Sequence, residues 1–480
     1  MALAAVRERL IGSSGKKTAI TPSMVRFSGS LLRYPARAAL VWYAGLIATG
    51  AALLMLPQAV VPGVKRLSAI DAVFTATSAS CVTGLSVRST GNDLSLFGQA
   101  VVLLLIQIGG IGIITVTTFI VLRFGGSESL RHRLILTQTL GSAERDLKLM
   151  IGKILRLVFV CEGIGFVLLA THTLGGGAAW PALWEALFHS ISAFCNAGFS
   201  LHDSSLSGDR ANPLVNLTVM GLIITGGLGF PVIKEVVEVV WSRRPGRWGR
   251  LSMHTKMMLI GTALLLTGGA LAVLTLEWHN ALEGMPLGEK LLVAGFQSTT
   301  TRTAGFETVP MGTLTNATLF VFMLLMLVGA GPCSTAGGFK VSTLMVLVCH
   351  AWSKIRGLHR VHLFRRSVPE TTIDGALATS LLFGVVAASG LVALLVAEQA
   401  DAPHRSGANL FLDAAFEVCS ALGTVGLSTG ITPDLGTLAK AVLIVLMFLG
   451  RLGPISAFVA LSGGERRDRV EYPKEEVLIG

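Results

Sequence analysis

The sequence predicts an all-α integral membrane protein: four tandem helix–pore loop–helix repeats, giving eight transmembrane helices and four pore helices around a central pore. Three observations carry this: apolar runs of bilayer length, a glycine-ended segment that occurs four times, and basic residues crowded into a few stretches. Of 480 residues 52% are hydrophobic and 14% charged, with a mean hydropathy of +0.68. Burial in lipid is the usual reason for so apolar a chain. The runs Ala38–Leu56, Ala100–Leu122, Leu155–Leu174, Met257–Leu276, Ala376–Ala397 and Leu438–Leu449 are long or extend into weaker flanks. A bilayer core needs about 20 apolar helical residues. The first 37 residues are basic and polar and lack the apolar core of a signal peptide.

The net charge is +11, and its distribution argues against nucleic acid as the partner. Thirty-one of the 39 Lys and Arg fall in the N-terminal tail, Arg123–Arg156, Lys234–Lys256, Lys340–Arg366 and the tail from Arg451. Such an excess marks cytoplasmic loops, so both termini are expected in the cytoplasm of a multi-pass cell-membrane protein. The six cysteines, Cys81, Cys161, Cys195, Cys333, Cys349 and Cys419, form no Cys-x-x-Cys pair with a His partner. They are expected to pack as small hydrophobes rather than bind zinc.

The repeat decides the architecture. CVTGL (81–85), CNAGF (195–199), RTAGF (302–306) and GTVGL (423–427) align on Gly84, Gly198, Gly305 and Gly426. Six positions upstream stand Ser78, Ser192, Thr299 and Ser420, and five upstream Ala79, Ala193, Thr300 and Ala421. Ten upstream are Phe74, Phe188 and Phe416; the third copy has Gly295 there and Phe296 next. Thirteen upstream are Asp71, Glu185 and Asp413, with Leu292 in the third copy and its acid earlier, at Glu289.

Each interval holds a spanning helix, a short amphipathic helix, the glycine segment and a second spanning helix. The short helix has start signals in Ser68 with Asp71, in Pro181 and in Pro286. The acids are expected in its first turn, at the positive end of the helix dipole. Two crossings per unit return the chain to one side, so four units share one orientation and can surround an axis. The expected divisions are an N-terminal tail (1–37), repeats at 38–123, 150–242, 256–350 and 375–463, and a C-terminal tail (464–480).

Non-helical backbone at membrane depth must be satisfied by protein or water. Four such segments around one axis would aim their carbonyl oxygens at a shared hole, where carbonyl rings can replace a cation's hydration shell. Glycine suits this because it reaches positive φ. The plainer alternative is that each glycine only ends its short helix.

The order of parts and the VTGL, NAGF, TAGF and TVGL segments resemble the Trk/Ktr/HKT superfamily of potassium transport proteins, from about Arg33 to Gly464. The short N-terminal tail leaves no room for two extra leading helices, so the Ktr-type membrane subunit is the closer match. The resemblance implies that potassium, as substrate, is held by a selectivity filter of Val82, Thr83, Gly84, Asn196, Ala197, Gly198, Thr303, Ala304, Gly305, Thr424, Val425 and Gly426. Some sodium-preferring relatives have serine at the first glycine; Gly84 therefore favours potassium, with sodium a secondary ion. The resemblance further implies a homodimer and a cytosolic KtrA-type ring of regulatory subunits that binds NAD, ATP or ADP. No nucleotide site is expected on this chain.

Two features lie outside the repeat. The second spanning helix of the third copy is interrupted at 329–338, GAGPCSTAGG, where Pro332 and the glycines cannot continue a helix. We expect an intramembrane gate loop there, formed by Gly329, Gly331, Pro332, Ser334, Thr335, Gly337 and Gly338; a kink between packed helices is the plainer reading. Phe339 separates its last glycines from Lys340 and no strand precedes it, so it is no phosphate loop. Arg451 follows an apolar stretch, and a charge facing lipid there costs about 3 kcal/mol or more. It is expected across the pore near the loop, repelling cations, rather than snorkelling to the interface.

Glu162, within the first helix of the second copy, reads as a structural acid ahead of a coupling-ion ligand. Gly109-Gly-Ile-Gly112 and Gly226-Gly-Leu-Gly229 follow membrane helices and read as close-packing sites, not dinucleotide loops. No nucleophile elbow or metal-binding helix appears, so an enzyme is the weakest reading. The serious rival to a channel is a sodium- or proton-coupled potassium symporter, since transporters also use repeats and broken helices. Asp71, Glu185 and Asp413 are its candidate coupling groups.

Overall fold

The computed structural model describes residues 35–124, 140–175, 178–242, 247–358, 360–364, 366–399 and 410–453. The C-terminal tail, the end of the fourth repeat and nearly all of the N-terminal tail lie outside them. The regular structure of the described chain is helical, apart from a hairpin of two-residue strands, β1 (His362–Leu363) with β2 (Arg366–Ser367).

The helices follow in order as α1 (Pro35–Leu54), α2 (Ala69–Ser80), α3 (Leu96–Phe124), α4 (Leu140–Thr173), α5 (Ala179–Cys195), α6 (Pro213–Leu228) and α7 (Phe230–Trp241). Then come α8 (Met253–Leu276), α9 (Leu287–Thr300), α10 (Asn316–Leu327), α11 (Val341–Ile355), α12 (Glu370–Gln399), α13 (Leu410–Gly423) and α14 (Thr437–Leu452). Among the described residues, Ile151–Thr173, Met253–Leu276 and Glu370–Glu398 are long and apolar enough to cross a membrane. Pro213–Leu228 and Phe230–Trp241 form a pair bent by 105°, and Ala39–Leu54, Leu96–Gly112, Asn316–Leu327 and Val341–Ile355 are shorter apolar helices. Large side chains such as Leu104, Leu264, Leu381 and Val392 stand outward and exposed, as a lipid-facing surface requires.

The sequence located one broken helix; the described residues hold two. The first break separates α6 from α7 at Gly229, which turns with φ 88°. A Cβ there would lie 2.3 Å from the Pro332 carbonyl oxygen, so the bend is made against the third unit. The packing role read for this glycine run holds at Gly226, where a Cβ would meet the Phe194 carbonyl at 2.0 Å. Gly109 is equally confined, 2.0 Å from the Ser80 carbonyl. Cys81, Cys195 and Cys333 are buried and the other three cysteines half-buried.

Each short helix packs against the first long helix of its own unit and the second helix of the unit before, and α2, α5 and α13 also meet the second long helix of their own unit. Helix α5 meets α3, α9 meets α6, α13 meets α10, and α2 meets α14, which closes the circle. Phe74, Phe188, Phe296 and Phe416 are fully buried anchors for the four short helices.

The starts of these helices partly match expectation. Ser68 caps α2 by accepting the Asp71 N–H at 3.2 Å, and Asp413 and Glu289 sit in the first turns of α13 and α9. Glu185 does not occupy a first turn. Helix α5 begins at Ala179, so Glu185 is mid-helix and faces His202, Oε1 lying 2.9 Å from Nε2.

Candidate ion pathway

The short helices end in a shared way. In α2, α5 and α13 the residue two before the glycine is left-handed: Val82 at φ 56°, Asn196 at 59° and Thr424 at 51°. Its N–H bonds the carbonyl three back (Ala79, Ala193 and Ala421, each 3.1 Å), and the next N–H bonds the carbonyl five back (Ser78, Ser192 and Ser420, each 2.8 Å). This is the paired bonding of a Schellman cap. Helix α9 closes one residue sooner, with Ala304 N–H on Thr300 O at 3.0 Å and Thr303 at φ 68°. That missing residue is why Phe296 stands one position nearer its glycine than its counterparts.

The glycines are therefore not the caps. Valine, asparagine and threonine take that role, at a cost of about 1 kcal/mol or more for each β-branched residue held there. Two residues on, Gly84, Gly198, Gly305 and Gly426 have φ of 101°, 70°, 78° and 92°. A Cβ on Gly84 would lie 2.6 Å from Ala197 O, on Gly198 2.9 Å from Ala304 O, on Gly305 2.5 Å from Val425 O, and on Gly426 2.1 Å from Thr83 O. Each glycine thus meets the carbonyl that precedes the glycine of the next unit. The four segments form a closed ring with no room for a side chain.

Side chains behind the ring hold its backbone. Ser78 and Ser420 accept the N–H of Gly84 and Gly426 at 3.0 Å; Ser192 donates to Phe199 O at 2.8 Å, and Thr300 donates to Phe306 O. The buried hydroxyls of Thr83, Thr303 and Thr424 have no hydrogen-bond partner among the described residues. Carbonyl and hydroxyl oxygens gathered at one axis are the ligands a dehydrated monovalent cation needs.

On one side the ring opens into a cavity of about 510 Å³ lined by all four glycines with Asp93, Asp203 and Glu307. Its wall is tied between units where Asp203 accepts from Ser89 and, at 2.7 Å, from Asn92. Away from the cavity lining, Arg210 pairs with Glu289 at 3.0 Å and Lys440 with Asp71 at 3.0 Å, again between units. The nearby Glu185 hydrogen bond raises the His202 pKa above its ordinary value.

The loop 329–338 lies on the other side. A Cβ on Gly337 would be 2.2 Å from Thr424 Oγ1, which puts the loop against the ring. Gly331 N–H bonds Gly227 O at 2.9 Å, Thr335 N–H bonds Gly226 O at 3.2 Å, and Gly338 N–H bonds Gly450 O at 3.3 Å. The loop therefore reaches from the second unit to the fourth, which are opposite in the ring. Within it, Ser334 donates to Gly331 O at 2.6 Å, and Gly329 N–H bonds Phe339 O at 2.8 Å to close the neck. The Pro332 carbonyl abuts Gly229.

Arg451 is 3% exposed, so it does not snorkel. Its guanidinium donates to Thr335 O, to Gly109 O at 2.9 Å and to the Tyr43 hydroxyl at 3.4 Å. Sequence reasoning passed over two further cations at this loop. Lys340 donates to Ala336 O (2.8 Å) and Gly337 O (3.3 Å), and buried Arg302 donates to Gly329 O at 3.3 Å. Among the described residues none of the three has a carboxylate within ion-pair distance. Arg302 had a visible signal: its position holds Cys81, Cys195 and Gly423 in the other copies. Glu162 is buried behind the second segment, where it accepts from Gln107 at 3.0 Å and, through its own carbonyl, from Ser190 at 2.7 Å.

A family model described as TrkH, cation transport protein, matches residues 51–466. The chain belongs to the TrkH family. This TrkH-family chain is 38% identical over 437 residues to Ktr system potassium uptake protein B of Bacillus subtilis, covering 90% of this chain and 94% of that one. The protein of the same name from Vibrio alginolyticus is 38% identical over 447 residues, at 92% and 94% coverage. Potassium/sodium uptake protein NtpJ of Enterococcus hirae is 35% identical over 441 residues, at 91% and 95% coverage. The crystal structure of the potassium transporter TrkH from Vibrio parahaemolyticus superposes with a TM-score of 0.70 at 19% identity, over 88% of this chain and 83% of that one, which establishes the shared fold. The resemblance read from the sequence is borne out: the chain is a multi-pass membrane protein of this superfamily, near its Ktr branch.

Proposed function

We propose that this TrkH-family chain is the ion-conducting membrane subunit of a potassium uptake system. In this reading the four glycine segments are its filter and the four short helices its pore helices. Eight spans, α6–α7 and α10–α11 each counted as one broken span, form four parallel repeats around the axis. One observation carries the reading: each glycine closes against the carbonyl of the next unit, in a ring with no side chain. Such a ring offers backbone oxygen at one fixed radius, which is how a pore can exchange a cation's water for protein. Potassium follows from relatives named for potassium uptake and from glycine in all four copies. No chemical step is involved, so the chain is not read as an enzyme.

Loop 329–338 then acts as the gate. It lies across the route beneath the ring, and Arg302, Lys340 and Arg451 place positive charge where a departing cation must pass. The basic stretches mark that side as cytoplasmic, with both termini there and the cavity of about 510 Å³ outside the cell membrane. Relatives named as parts of a Ktr system support a regulatory partner; in this reading it is cytosolic, binds NAD, ATP or ADP, and sits beneath a homodimer of pores.

The alternative is a sodium- or proton-coupled symporter, favoured by the name of the Enterococcus relative and by buried Glu162, which has no cationic partner within ion-pair distance among the described residues. Rubidium uptake into proteoliposomes without a sodium or proton gradient separates the two. The channel reading expects uptake driven by the rubidium gradient alone; its absence while an added sodium gradient restores uptake would overturn that reading. Co-purification at native stoichiometry tests the partner.

A further inference from the structure

Directly after its buried phenylalanine, each short helix carries a buried polar residue: Thr75, His189, Gln297 and Glu417. The early closure of α9 makes these four positions equivalent, and they lie behind the glycine segments. They differ in what they hold. Glu417, 0% exposed, accepts hydrogen bonds from the hydroxyls of Ser428 and, at 2.8 Å, Thr432. Ser428 Oγ in turn accepts the Gly430 N–H at 2.9 Å. His189 Nε2 lies 2.9 Å from Ser200 Oγ and accepts the Leu201 N–H at 3.4 Å. The Gln297 amide donates to Val309 O at 3.0 Å. The Thr75 hydroxyl has no partner among the described residues, and Ser86 turns to its own neighbour, Arg88 O. Ser200 and Ser428 each stand two residues past a ring glycine and line the outer cavity.

Resting on the reading of the ring as a filter, we infer that Glu417 is a positioning residue for the fourth filter segment. His189 and Gln297 brace the second and third in the same manner, and the first has no such brace. The Glu417 carboxylate spans two hydroxyls four residues apart, so it pins the outgoing strand at two points. It has no Lys or Arg within ion-pair distance among the described residues, and these hydroxyl bonds, with one from the Thr429 backbone, are what satisfy it. A ring that chooses between cations by radius works only while its oxygens do not follow the smaller one inward. Releasing the strand should cost discrimination before it costs folding.

The test compares rubidium and sodium uptake by the full chain in proteoliposomes, with melting midpoints measured alongside. Ser428→Ala should lower the rubidium-to-sodium ratio about threefold by removing one of the two pins and Glu417→Gln about fivefold by weakening both, and the double variant should do no more than Glu417→Gln, because the Ser428 contact is already weakened there. Thr75→Val should leave the ratio unchanged. Gly426→Ser is the reference for the filter itself. If Gly426→Ser lowers the ratio while Glu417→Gln and Ser428→Ala keep it, the bracing inference falls and the filter stands. If Gly426→Ser keeps it too, the filter reading falls first. Loss of ratio in Thr75→Val, or a lowered melting midpoint with the ratio intact in the other variants, would reduce Glu417 to ordinary packing and also overturn the inference. Ser428→Ala decides the matter should Glu417→Gln fail to fold.

Discussion

The glycine ring and the loop 329–338 both depend on glycine and both bend backbone through positive φ, yet they are held in opposite ways. Every ring segment leans on an equivalent segment of the next unit and is backed by a neutral hydroxyl from its own short helix. Among the described residues the other three units hold no loop like it, the second breaking its helix at the single residue Gly229. Besides its backbone bonds to the second and fourth units, it is held by two buried cations, Arg302 and Arg451, and half-buried Lys340, which donate to carbonyls without a carboxylate in reach among the described residues. Four mutually braced segments resist change of radius. A single segment held by costly, uncompensated charge can leave its place. In the proposed reading the same residue type therefore serves a fixed structure above and a displaceable one below.

The sharpest way to break this comparison is to disturb the ring. Gly426→Ala adds a Cβ 2.1 Å from Thr83 O at φ 92°, and nothing there can give except the neighbouring backbone. Discrimination of rubidium over sodium should fall at least about tenfold, equivalent to about 1.4 kcal/mol; a retained ratio would mean that the ring does not select. Deleting Gly331–Gly337 should act on the other region alone. Flux should rise several-fold, about 1 kcal/mol in barrier terms, with the uptake ratio unchanged; equal or lower flux in a well-folded variant would end the gate reading.

Arg451→Ala should raise flux less, by about twofold, because Lys340 and Arg302 still hold the loop. Unchanged flux and block would detach Arg451 from gating. The smallest effect is at the outer surface. With the His202 pKa raised by Glu185, the pair stabilises fully below the unfolded value and loses that contribution as pH rises through the higher folded value. Half-exposed and screened, it should lower the melting midpoint by about 1 °C between pH 6 and pH 8. Thermal unfolding of His202→Gln should show a flatter profile over that interval, and an equally steep one would remove the pair from the account.

Much of this was legible along the chain because repetition multiplies a weak signal. One glycine after a short apolar stretch says little, whereas four in register with a phenylalanine and a hydroxyl behind each one describe a ring. The offset of Phe296 was legible too, and the structure supplies its cause in the early closure of α9. What escaped notice was not repeated. Glu185 was misplaced because α5 starts about one turn earlier than the repeat suggested. Gly229 was read as packing because a glycine that lets helices touch and one that breaks a helix look the same in sequence. Lys340 was counted with a basic stretch and used to exclude a phosphate loop, not placed at the gate.

By itself the sequence determined the helix order, the membrane class and the ring residues, because spacing and apolar length are properties of the chain that local physics reads directly. Only the tertiary structure decided that the glycines close against one another rather than cap their helices. It alone put Arg302, Lys340 and Arg451 on one loop, and made equivalents of Thr75, His189, Gln297 and Glu417. Those facts depend on distances between residues far apart along the chain, and packing sets such distances where periodicity cannot.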